Sequence, residues 1–99
     1  MKELLFGTAG IPISAKCLGT EEGIAEVRNL DLDAMELEFV RNINITKQKA
    51  PDVKKAAEKN NIVLTCHAPY FINLNSAEKA KLKASIDRIL NSARIANLC

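Results

Sequence analysis

The 99-residue chain has little of what staples, anchors or metallates a small protein. Cysteine occurs three times, at Cys17, Cys66 and Cys99, with no C-x-x-C pair and an odd thiol under any pairing. That speaks against a disulfide framework or a zinc ribbon and for reduced thiols in a cytoplasm. Histidine occurs once, at His67, and one imidazole cannot close a metal site that needs three or four ligands. No apolar run approaches the roughly 20 residues of a membrane span. The N-terminal "LLF" lies between Glu3 and Gly7, with Pro12 and Lys16 soon after, too short and broken for a signal-peptide core. A soluble, cytoplasmic protein with no membrane partner is the expectation.

What is present is the composition of a globular domain, 47% hydrophobic and 26% charged, in a length with room for one core. The net charge of +2 is unevenly spread: residues 1–46 carry four basic and eight acidic side chains, residues 47–99 ten and four. A basic half can attract polyanions, although lysines on outer helix faces give the same count and serve solubility.

Three blocks repeat one grammar, an apolar β-type run, a turn and a helical stretch, with strands starting near Leu4, Ala34 and Ile62. "ELLFG" reads as the first strand and "GTAGIPIS" as its Gly/Pro loop. Thr20 is placed to cap a helix with Glu21 and Glu22 in its first turn and Ile24 and Val27 on its inner face, ending near Asn29. "DAMELEFV" alternates, so the second strand has one face of carboxylates that need partners if buried. "APDVKKAAEKNN" puts Pro51 in a first helical turn and Asn60-Asn61 at its end. "NIVLTCH" is a continuous apolar run, as when both sheet faces are covered. The spacing predicts a last helix capped by Asn75 or Ser76, with Glu78 in a capping box and Leu82, Ile86, Ile89, Leu90 and Ala93 as its inner stripe.

Such alternation implies an α/β fold of three consecutive βα units with parallel strands and right-handed crossovers. Either a small doubly wound sheet or the N-terminal part of a (β/α)8 TIM barrel meets this description. The last helix runs into "IANLC" with no glycine cap and no following strand. Residues 1–99 are therefore expected to be a partial barrel domain, truncated at the C-terminus. In both architectures chemistry belongs at the carboxyl ends of the strands, here "GTAGIPIS", "VRNINIT" and "CHAPYFINLNS".

His67 sits where a ligand or base would sit, although a lone strand-end histidine is more often a hydrogen-bonded structural group. Cys66 points to the opposite face of its strand and reads as a small core residue. Pro69 stiffens the turn and holds Tyr70 and Phe71 at a fixed angle. Aromatics there commonly cover a core, but fixed and exposed ones can wedge into base stacks.

"CHAPYFINLNS", with "FGTAGIPIS" and "DAMELEFVRN", resembles the N-terminal part of the endonuclease IV family, zinc-dependent apurinic/apyrimidinic endonucleases on a (β/α)8 barrel. The likeness covers essentially the whole chain and is most specific in "H-x-x-Y-x-I-N-L". The resemblance implies that His67 is a zinc ligand and that Tyr70 and Phe71 press into the DNA minor groove at an abasic site. Arg41 and Asn42 fall near the DNA-contacting positions of the second-strand loop. The family cuts the phosphodiester 5′ to the abasic sugar with three zinc ions, so abasic duplex DNA is the implied partner. Thr8-Ala9-Gly10 stands where bacterial members have a histidine after the early glycine, which looks like an archaeal-type branch. The family's other zinc ligands come from later strands. This chain alone is therefore expected to be inactive, to bind zinc weakly, and to self-associate through its unpaired edge. Two further readings stand beside this one: a sugar isomerase or epimerase of the related xylose isomerase-like barrels, and a non-catalytic, self-associating α/β domain.

Overall fold

The computed structural model describes residues 3–16 and 19–99, so Cys17 lies outside the described residues. Strands and helices alternate in the order β1 (Gly7–Ala9), α1 (Thr20–Asn29), β2 (Ala34–Glu38), α2 (Ala50–Asn60), β3 (Val63–His67) and α3 (Lys79–Leu98). The strands form one parallel sheet in chain order, β1-β2-β3. This is the βαβαβα arrangement that the alternation of the sequence implies.

One core lies between the sheet and its helices, centred on the middle strand. Met35, Leu37 and Phe39 project from β2 and its end onto Ile24 and Val27 of α1 and Val53 and Ala57 of α2, all essentially buried. The period-2 pattern of β2 meets the helical stripes of α1 and α2, which is why this hydrophobic set is internally consistent. Asn61 stops α2 in the left-handed conformation at φ 54°. Arg28, at the end of α1, donates from Nε and Nη2 to the carbonyls of Asn60 and Asn61 at 3.0 and 2.9 Å. A cation thus satisfies the last carbonyls of α2 and joins the two helices where their backbones need partners.

Four local expectations are corrected. β1 begins at Gly7, not near Leu4; Leu4 and Phe6 are exposed, and a side chain at Gly7 would collide with the Ala34 carbonyl, so only glycine allows this approach of β1 to β2. Thr20 is the first residue of α1 and makes no cap bond, the cap position being Gly19. α3 starts at Lys79, because Ser76 Oγ accepts the Glu78 N–H at 3.3 Å and Asn73 Oδ1 accepts the Asn75 N–H at 2.9 Å. Those short-range bonds hold 73–78 in turns and compete with an earlier helical start. Finally, α3 buries Ser85 and Ser92, with Ile95 and Leu98 packed beside the core, while Ile86, Ile89 and Leu90 are exposed. Apolar residues occupy more than one side of α3, and its two small serines are the ones that lie closest to the rest of the protein.

Candidate functional site

Side chains alternate along a strand, and Cα partners in parallel register share a face. Glu36 pairs with Thr65 and Glu38 with His67, so these four project from the sheet face opposite the helices. β3 is exposed on that face at Val63, Thr65 and His67, so the double-sided burial expected of "NIVLTCH" is not met. Only Leu64 and Cys66 of this strand turn toward the core, and they are half-buried. Cys66 and His67 thus occupy opposite faces, as their spacing implies. Burial pushes the Cys66 thiol up to about 11, with Cys99 and the nearby carboxylates adding to it. A thiol held up in this way is a weak nucleophile at neutral pH.

The electrostatics of the open face centre on Glu38. Glu36, two residues away on the same face, has its carboxyl within hydrogen-bonding reach and holds Glu38 above the usual carboxylate range. Desolvation and the Glu36 charge push the same way, while His67 opposes them. Glu38 Oε1 is shielded from solvent and has no hydrogen-bond donor. These observations agree: one oxygen of Glu38 stands beside a second carboxyl without a donor, and a proton or a cation would relieve it. Gly10, at φ 87°, lets the loop after β1 pass close to Glu38. The cleft beside Glu36 and Glu38, about 190 Å³, is smaller than the roughly 300 Å³ where ligand pockets begin. These strands form a wall, not an enclosed pocket.

His67 ends β3 next to Glu38. Its Nδ1 lies 2.6 Å from the Ala68 carbonyl oxygen, which can only accept, so Nδ1 is the donor there and Nε2 is the nitrogen that offers a lone pair when the ring is neutral. That arrangement suits a metal ligand or a base, because the hydrogen bond fixes both tautomer and ring orientation. Among the described residues, however, no three His, Cys, Asp or Glu side chains converge closely enough to hold a metal ion.

Beyond His67 the two strands stay joined. Phe39 donates its N–H to the His67 carbonyl at 2.9 Å, and Tyr70 donates its own to the Val40 carbonyl at 3.2 Å. The loop after β3 is thereby held against the loop after β2, and Tyr70 comes beside the backbone that leads into Arg41 and Asn42. Both of those residues are exposed. Pro69 is buried, whereas Tyr70 is 71% and Phe71 44% exposed, so the pair does not serve as core cover. Their rings meet edge to face with centroids 5.4 Å apart.

Residues 24–99 match the family described as xylose isomerase-like TIM barrel. The chain belongs to that family. It is also 42% identical over 96 residues to an uncharacterized protein of Methanocaldococcus jannaschii, an alignment that takes in 97% of this chain and 34% of the relative. The chain thus spans about a third of that relative's length. In a TIM barrel the strands close with one face inward and carry chemistry at their carboxyl ends. The three βα units are consecutive units of such a barrel, and Glu36, Glu38, Thr65 and His67 occupy its inward-facing positions. Among the described residues, no helix of this barrel segment is long and apolar enough to cross a membrane.

The alternation of "MELE" announces a carboxylate face, but only the register of β2 on β3 puts Glu38 beside His67. Ser85 and Arg88 gave a weaker signal. A serine three residues after Leu82 interrupts an otherwise apolar stripe, and both side chains contact the loop after β3.

Proposed function

We propose that this chain forms one wall of the active site of an endonuclease IV-like phosphodiesterase that cuts DNA at abasic sites with zinc. The observation that carries the reading is His67, whose Nδ1–H is committed to Ala68 while Nε2 is left for a ligand, at a strand end flanked by an exposed aromatic pair. The donor chemistry fits part of a zinc site: His67 would bind through Nε2, and Glu38, with a shielded oxygen lacking a donor, is the neighbouring carboxylate. Bound zinc would supply an activated water and neutralise charge on the phosphodiester. The further ligands would come from other strands of such a barrel. Tyr70 and Phe71 would press into the duplex at the lesion, with Arg41 and Asn42 close to its backbone.

One observation favours a second reading. Two carboxyls beside a histidine on an inward barrel face also suit a metal-dependent sugar isomerase or epimerase. The complete protein separates the two. Replacing Tyr70 and Phe71 together by Ala should weaken abasic-duplex binding by about 1–3 kcal/mol per lost stacking contact and leave zinc content unchanged. His67→Ala should instead lower zinc content and cleavage with a smaller effect on binding. Equal affinity for abasic and intact duplex, with aldose–ketose interconversion, would overturn the nuclease reading in favour of the isomerase.

A further inference from the structure

We propose that Arg88, assisted by Ser85, is a positioning residue that clamps the loop after β3 to α3 and so fixes the direction of the aromatic pair. The inference rests on the reading of Tyr70 and Phe71 as lesion-contacting residues and extends it to a helix that does not reach the site itself. Arg88 touches the loop twice. Its Nη1 donates to the Phe71 carbonyl at 3.3 Å, and its guanidinium carbon stands 4.7 Å from the centroid of the Phe71 ring. Tyr70 in turn meets Phe71 edge to face, so guanidinium, phenyl and phenol form a continuous column whose base is a helix.

One turn earlier, Ser85 Oγ accepts the Asn73 N–H at 3.0 Å. Ser85 is only 2% exposed, so this acceptor is held by packing and water competes poorly for it. From the other side, the Tyr70 N–H is tied to the Val40 carbonyl. Tyr70 to Asn73 is therefore held between the sheet and α3, although its rings face solvent. Unsupported aromatics on a loop would fold down to bury their own apolar surface. A column backed by Arg88 keeps them raised, so less ordering remains to be done on binding. With Ser85 and Arg88 facing the loop, Ile86 and Leu90 lie on the other side of α3 and are exposed.

The test uses the complete protein with Arg88→Ala, Arg88→Lys and Ser85→Ala. For Arg88→Ala, Kd and KM for abasic duplex should rise about ten-fold. kcat at saturating DNA and zinc content should stay the same, and the slope of log Kd against log salt should not change. Hydrogen exchange at the Tyr70 and Asn73 amides, which donate to the Val40 carbonyl and to Ser85 Oγ, should quicken. Arg88→Lys keeps a cation over the ring and should recover part of the affinity. Ser85→Ala should quicken exchange at Asn73 while leaving the salt slope alone. A salt slope lowered by about one in Arg88→Ala would make Arg88 a phosphate contact and overturn the positioning role. Unchanged exchange at Tyr70 and Asn73 would overturn the clamp itself. Equal binding of abasic and intact duplex by the unmutated protein is a different failure, since it removes the DNA role while the exchange rates still report on the clamp.

Discussion

β2 and β3 are both five residues long, lie in parallel register and turn alternate positions toward the helices, yet they are buried to very different depths. On β2, Met35 and Leu37 are 2% and 4% exposed, whereas Leu64 and Cys66, their partners on β3, are only half-buried. The alternation is equally clear in both strands. The difference is one of neighbours: β2 has a strand on each side, while β3 is an edge strand whose inward residues, Leu64 and Cys66, lie at the margin of the core. On the open face the contrast is chemical, with Glu36 and Glu38 of β2 set against Thr65 and His67 of β3. A hydrophobic pattern thus marks which face turns inward, and the number of flanking elements decides how much that face contributes.

The strongest way to break this comparison is to empty both sides of it. Phe39→Ala removes a fully buried ring at the end of β2 and should cost about 3–5 kcal/mol, read from the urea midpoint. Leu64→Ala on β3 should cost no more than about 2 kcal/mol, the low end for such truncations. Equal losses would mean that the edge strand is as well covered as the central one.

A smaller effect sharpens the contrast between the open faces. Glu38 is raised by Glu36 and by burial, so the folded protein holds that proton more tightly than the unfolded chain does. The stability from this group is therefore greatest below the ordinary glutamate value of 4.5 and is lost as pH rises through the raised folded value. In the metal-free protein, Glu38→Gln should remove this decline and flatten the melting temperature against pH above 4.5, while Thr65→Ala on β3 should leave the profile unchanged. A Glu38→Gln profile parallel to that of the unmutated protein would show that the two carboxyls do not interact.

The smallest effect tests the depth of β3. With its thiol pushed up to about 11, Cys66 should alkylate slowly in the folded protein at pH 8 and rapidly in urea. Mass mapping of the iodoacetamide adducts reads the two rates. Fast modification in the folded state would place Cys66 outside the packed side of the strand.

Where local rules and packing agree, as in α2 with Pro51 in its first turn and Asn61 at its end, boundaries could be read from residues alone. They failed where a contact from afar prevailed. The exposed Leu4 and Phe6 look like strand residues until β1 is drawn against Ala34, an approach that Gly7 permits because it has no Cβ. The apolar stripe expected on α3 has the right period and the wrong direction: Ser85 and Ser92 are the buried positions, Ile95 and Leu98 pack beside the core, and Ser85 and Arg88 meet a loop 12 and 17 residues earlier. Of the expected site residues, His67, Tyr70 and Phe71 could be picked out by type and by position at a strand end. Their relation to Glu38 could not, since register depends on two segments at once.

The sequence by itself determined the alternation of strands and helices, the parallel sense of the sheet and the inward face of β2. Each of these follows from the spacing of apolar residues along one segment or from the shortness of the connections. Only the tertiary structure decided that Arg28 would satisfy the end of α2, that Glu38 would lie between Glu36 and His67, and that α3 would hold the aromatic pair from below. The physical reason is the same in all three. A lone donor, acceptor or charge carries no direction along the chain, and its partner is whichever group the packing of distant elements brings within about 3 Å.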